Sequence, residues 1–138
     1  MKKIFLFLLM ILSSVTHATQ LTTFAAMADA ISKGNKLTLI MNIQECSAPK
    51  LPATPLLGSV QPSAFMVIDN NQITTSVKHF TLDHPLSRGN PSLEYLKFDI
   101  HADGSVSIKN TVMDATNYQP IASHQIDCSL NKGFKAFS

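Results

Sequence analysis

Residues 95–112, YLKFDIHADGSVSIKNTV, decide the fold class. Leu96, Phe98 and Ile100 alternate with Tyr95, Lys97 and Asp99, and Val106, Ile108 and Val112 repeat the pattern on the way back. A period of two places one set of side chains on one face of a strand and the other set on the opposite face. Between the two runs, His101-Ala102-Asp103-Gly104 supplies the reversal, with Gly104 able to take a positive φ. The segment therefore reads as an antiparallel hairpin. Upstream, residues 64–69 and 73–80 form a second pair of β-like runs joined by Asn70-Asn71. Downstream, residues 121–129 read as a last full strand ending at Cys128. Asn131-Lys132-Gly133 then turns into a short tail, Phe134–Phe137.

The N-terminal part reads differently. Phe24, Met27, Ala28 and Ile31 fall at helical spacing after Thr22-Thr23, with Gly34 placed to end the helix, so residues 22–33 are predicted as one amphipathic helix. Residues 36–44, KLTLIMNIQ, place Leu37, Leu39, Met41 and Ile43 on one face of a strand that runs into Cys46. Pro49, Pro52, Pro55 and Pro62 then exclude helix or central strand, and residues 47–62 are expected as a long irregular loop. A second loop is expected over residues 81–92. The sum is one helix and six strands. The predicted class is α+β: a single domain with an antiparallel sheet of five or six strands and one N-terminal helix packed on one face.

Lys2 and Lys3 precede an unbroken apolar run, Ile4–Leu12, and a polar stretch ending in Thr16-His17-Ala18. That layout is expected to be a secretory signal peptide, residues 1–18, cut after Ala18 to leave a domain of residues 19–138. The apolar run is far shorter than the roughly 20 residues of a spanning helix. The chain carries 11 Lys and Arg against 9 Asp and Glu. Because Lys2 and Lys3 account for the excess, the mature chain nets zero and has no clustered basic surface for nucleic acid. No membrane span is expected after signal removal. The destination is periplasmic or secreted, and in an oxidising compartment Cys46 and Cys128, the only two cysteines, are expected to pair.

Residues able to carry chemistry are sparse. His79, Asp83 and His84 lie close in sequence and are weak candidates for a metal such as zinc, although their spacing matches no zinc motif. His124 shares a strand face with Ala122, Ile126 and Cys128 and reads as a core histidine whose hydrogen bonds are satisfied. His101 and Asp103 read as turn residues. Asp29 and Glu45 flank the first strand, and whether two carboxylates so far apart in sequence form a pair is a question only the three-dimensional arrangement decides. No serine sits in G-x-S-x-G or opens a Ser-x-x-Lys helix, and the five glycines are scattered. No catalytic residue and no cofactor are predicted.

The helix Phe24-Ala25-Ala26-Met27-Ala28-Asp29-Ala30-Ile31, running into Lys33-Gly34-Asn35-Lys36 and the aliphatic strand before Cys46, resembles the VirK family of small exported bacterial proteins. Tyr95-Leu96-Lys97-Phe98 before Asp103-Gly104-Ser105-Val106, and Cys128 before Gly133-Phe134, extend the resemblance over nearly all of the mature region. It implies an exported domain with paired cysteines and a role in host interaction, the family being associated with virulence loci. It carries over no catalytic residue. Three readings follow. The first is a non-enzymatic module binding a protein or small ligand. The second is a secreted effector with metal-dependent activity centred on the histidines. The third is an envelope protein that binds extended segments at an exposed sheet edge.

Overall fold

The computed structural model describes residues 18–51 and 55–138. The signal reading falls almost wholly on residues 1–17, which lie outside that range. The chain runs β1 (Gln20–Leu21), α1 (Phe24–Ser32), β2 (Thr38–Asn42), a 3-10 turn (Ile43–Glu45), β3 (Leu57–Val60), β4 (Met66–Ile68) and β5 (Gln72–Thr81). A second 3-10 turn (Pro85–Ser87) precedes β6 (Ser92–His101), β7 (Ser105–Asp114), β8 (Pro120–Leu130) and β9 (Gly133–Phe137).

All nine strands form one sheet in the order β3-β2-β9-β8-β7-β6-β5-β4, with β1 paired to β9, and the sheet curls into a half-barrel. This corrects the expected α+β domain of five or six strands: the fold is mostly β, with one helix. The three strands absent from the prediction are β1, β3 and β9. Each is only two to five residues long, too short for a period of two to show. The residues 47–62 read as irregular in fact hold β3, whose Leu-Gly-Ser-Val lies in a proline-free window between Pro55 and Pro62 and pairs with β2. The short tail is β9, which lies between β2 and β8 and joins the N-terminal half of the sheet to the hairpins.

Local chemistry explains the elements that were anticipated. Thr23 caps α1 by accepting the Ala26 N–H at 3.1 Å, and Gly34 follows the helix at φ +76°. The β4–β5 turn places Asp69 and Asn70, one position earlier than expected, at φ 48° and 49°. Positive φ at both central residues matches the turn twist to the strand twist. At the β6–β7 turn, Gly104 takes φ +85° and its N–H bonds to the His101 carbonyl at 2.9 Å.

The inner face of the half-barrel carries the core. Ile73, Ile100, Val106 and Cys128 form one cross-strand row, and Thr75, Phe98, Ile108 and Ile126 form the next, all buried. Met27 and Ala30 of α1, Leu37, Leu39 and Met41 around β2, and Phe134 and Ala136 of β9 complete the cluster. The rings of Phe98 and Phe134 lie 6.2 Å apart and tilted, an arrangement that favours the edge of one ring toward the face of the other. No helix among the described residues is long and apolar enough to cross a membrane.

Two turns carry aspartates whose acid forms are disfavoured. The Thr116 hydroxyl and backbone N–H, with the Asn117 N–H, hold Asp114 below the ordinary carboxylate value; the Ser105 hydroxyl and N–H do the same for Asp103. A lowered folded-state pKa adds stability above the unfolded value and loses it as pH falls through the folded one. Melting temperature is therefore expected to decline below about pH 4. Asp114→Asn, which keeps the acceptor but cannot titrate, is expected to decline less steeply across the same window. Parallel thermal melts between pH 2.5 and 6 check this, and identical slopes would refute it.

Candidate functional site

Beyond the apolar rows, the inner face turns polar. The third row is Val77, Leu96, Asn110 and His124, and the fourth is His79, Glu94, Val112 and Ala122. Pairing of β5 with β6 sets His79 opposite Glu94, and the segment after β5 brings His84 to the same carboxylate. His79 Nδ1 lies 3.4 Å from Glu94 Oε2, and His84 Nε2 lies 3.2 Å from Glu94 Oε1. Two of the three residues flagged from sequence are thus brought together, but by Glu94 rather than Asp83. Asp83 is exposed, and its backbone N–H bonds to Thr81 Oγ1 at 3.1 Å. The signal that marks Glu94 is its cross-strand register, invisible in linear spacing.

His84 also defines its own tautomer. Its Nδ1 accepts the Leu86 N–H at 3.2 Å, capping the 3-10 turn, so in the neutral ring Nε2 bears the proton and faces Glu94 Oε1. A metal at Nε2 would need that lone pair, and the proton moved to Nδ1 would then face the Leu86 N–H. The arrangement holds the segment down: Ser87 is buried, its hydroxyl donates to the His84 carbonyl at 2.8 Å, and the turn packs against β8. Among the described residues no three His, Cys, Asp or Glu side chains are grouped to hold an ion.

The Cys46–Cys128 disulfide is present, joining the end of the first 3-10 turn to β8 with Cα atoms 4.5 Å apart. Asp29, by contrast, pairs with Lys33 at 2.6 Å, and Glu45 accepts from Asn42 Nδ2 and the Gly133 N–H, each at 2.9 Å. These two carboxylates form no pair. His124, read from sequence as a satisfied core histidine, has a buried Nδ1 with no hydrogen-bond partner, as does Asn110 Oδ1 opposite it. A buried polar atom left without a partner costs about 1–3 kcal/mol.

The same stretch of β8 borders a cleft. β9 meets β8 only at Ser129 and Leu130, so the rest of β8 has no strand on that side among the described residues. Ser47 bonds Asp127 both ways, at 2.7 and 2.9 Å, and a turn at Ala48–Leu51 then leads away. Pro49 and Lys50 on this turn face Lys109, Ser123, His124, Gln125 and Asp127 across a cleft of about 240 Å³. Ala48 and Leu51 pack against the core and fix the turn as a wall.

The class defined by this fold is a small, disulfide-stapled half-barrel of one sheet, with an inner polar cluster and a strand flank left open. Sequence comparison makes that class specific. The chain belongs to the VirK family: the family's VirK protein profile matches residues 20–118. The crystal structure of lpg1832, a VirK family protein from Legionella pneumophila, is 41% identical and superposes with a TM-score of 0.84 over 88% of this chain and all of that one. The uncharacterized protein y4wH of Sinorhizobium fredii is 22% identical over 121 residues, 86% of this chain and 81% of its own.

Proposed function

We propose that this VirK family chain is exported through a signal peptide at residues 1–18 and works as a non-enzymatic interaction module, residues 19–138, that holds a protein partner by main-chain pairing. The observation that carries this reading is the state of the strand edges. Met66, Val67 and Ile68 of β4 are all exposed at one end of the sheet, and Leu57 of β3 is exposed at the other. Neither strand has a charged residue. Edge strands normally carry lysine, proline or a covering element that blocks pairing with another chain. Edges without such guards suit strand addition, in which backbone bonds give affinity and side-chain pockets give choice.

Export is supported by the staple, which suits an oxidising compartment. It is consistent also with Thr19, the residue after the expected cut, whose N–H and carbonyl pair with Ser138 at 2.8 and 3.0 Å. A role in host interaction is what family membership adds to this reading.

Selection of a displayed random-peptide library against protein recovered from the periplasm tests the proposal, with intact mass reporting the cut after Ala18. Enriched peptides, made synthetically, are expected to bind saturably in the micromolar range and to be released chemically unchanged. A peptide returned cleaved or modified would make the protein an enzyme. Enrichment no greater than with reduced, unfolded protein would remove the binding reading.

A further inference from the structure

We infer that the cleft between the Ala48–Leu51 turn and β8 takes an extended peptide segment bearing a carboxylate, which pairs with the open flank of β8. This rests on the interaction-module reading and specifies its site and partner. The argument begins with the ladder. Along an antiparallel strand, successive residues direct their N–H and C=O to opposite neighbours. Asp127 commits both groups to Ser47, on the side away from β7. Gln125 and Ser123 point their backbone groups to that same side, where no strand lies and where no backbone bond is made by either among the described residues.

These groups are offered on a rigid frame. β8 is paired along its length to β7 on the other side, and the facing wall is tied to β8 by the Cys46–Cys128 bond and the Ser47–Asp127 bridge. The cleft is smaller than the roughly 300–1,000 Å³ of an enclosed small-molecule site, which fits a short stretch or the end of a chain. By comparison, β3 and β4 offer only four and three residues at the sheet ends.

Charge selects the occupant. Lys50 and Lys109 line the cleft, and neither has a carboxylate partner among the described residues. Among the described residues Asp127 is the only acidic side chain in the lining, and it accepts from Gln125 Nε2 at 3.0 Å. The lining thus carries two cations to one anion. An exposed ion pair is worth up to about 1 kcal/mol, so each lysine sets at most about a five-fold preference and the backbone supplies the rest.

The probe is an N-acetylated hexapeptide of alternating valine and threonine ending in glutamate, titrated into the mature protein and followed by backbone amide NMR. The amides of Ser123 and Gln125 are expected to shift and to gain protection from exchange. N-methylation of the peptide at alternate residues is expected to weaken binding at least ten-fold, a control that leaves the protein unaltered. Replacing glutamate with an amidated lysine, or combining Lys50→Ala with Lys109→Ala, is expected to weaken it about ten-fold, and less in high salt. Lys135→Ala on β9 is expected to have no effect. Shifts confined to Met66–Ile68 or Leu57–Val60 would overturn the cleft assignment while leaving the module reading intact. No shift at millimolar peptide would overturn the assignment too, and the library selection would then decide the module reading separately.

Discussion

Cys46→Ala and Cys128→Ala are each expected to lower the melting temperature of the oxidised protein by about 10–20 °C. The two residues are 82 positions apart, and chain-entropy arguments assign closure of so long a loop about 4–5 kcal/mol. Topology argues for the upper part of that range. β2 and β8 are not neighbours; β9 lies between them and meets β8 only at Ser129 and Leu130. The covalent bond and the Ser47–Asp127 bridge therefore carry much of the connection between the N-terminal strands and the hairpins. Cys128 is also buried in the core row with Ile73, Ile100 and Val106, so removing its sulfur opens a small void there. Thermal melts of wild type, both variants and reduced wild type check the prediction. The variants should match the reduced protein more closely than the oxidised one. Equal melting temperatures for all four would show that the bond contributes nothing.

The long hairpins were legible because their chemistry is local. Phe98 and Ile108 sit in runs of ten residues each, and Asp103-Gly104 names its own turn. β9 was not legible, for the opposite reason. Gly133–Phe137 is a strand only because β2 supplies partners on one flank and β1 and β8 on the other, contacts that span most of the chain. β3 was hidden by composition, since the prolines that frame it dominate any reading of the window.

The site divides along the same line. Disulfide pairing followed from cysteine count and compartment, with no geometry needed. Convergence of His79 and His84 on Glu94 depends on β5–β6 register, which sequence gives only once both strand boundaries are right. The open flank of β8 is less legible still. It exists because β9 begins only at Gly133, opposite Ser129, so the earlier part of β8 has no β9 residue beside it, and such a starting point has no residue type to announce it.

Gly133→Ala is expected to destabilise the protein by about 2–4 kcal/mol, combining a left-handed backbone cost of roughly 1–2 with overpacking of a filled site. Gly133 is buried at φ +78°, and its N–H donates to Glu45 Oε2 at 2.9 Å. A Cβ there would press into Cys46 Sγ and would lie 3.1 Å from the Glu45 carbonyl oxygen. One crowding atom belongs to the staple and the other to backbone, so neither can swing aside like a flexible side chain. Gly104→Ala provides the comparison. It has a similar φ of +85° but its nearest neighbour, Leu130 Cβ, lies at 4.0 Å, so it isolates the backbone cost. The excess of Gly133→Ala over Gly104→Ala measures the steric part. Combining Gly133→Ala with Cys46→Ala removes the sulfur and should recover at least about 1 kcal/mol of that excess, leaving the Glu45 crowding in place. Denaturant melts of the single and double variants give each quantity. Additive costs in the pair would mean that the sulfur does not crowd a Cβ at Gly133, and that the turn into β9 is not shaped by the disulfide packed against it.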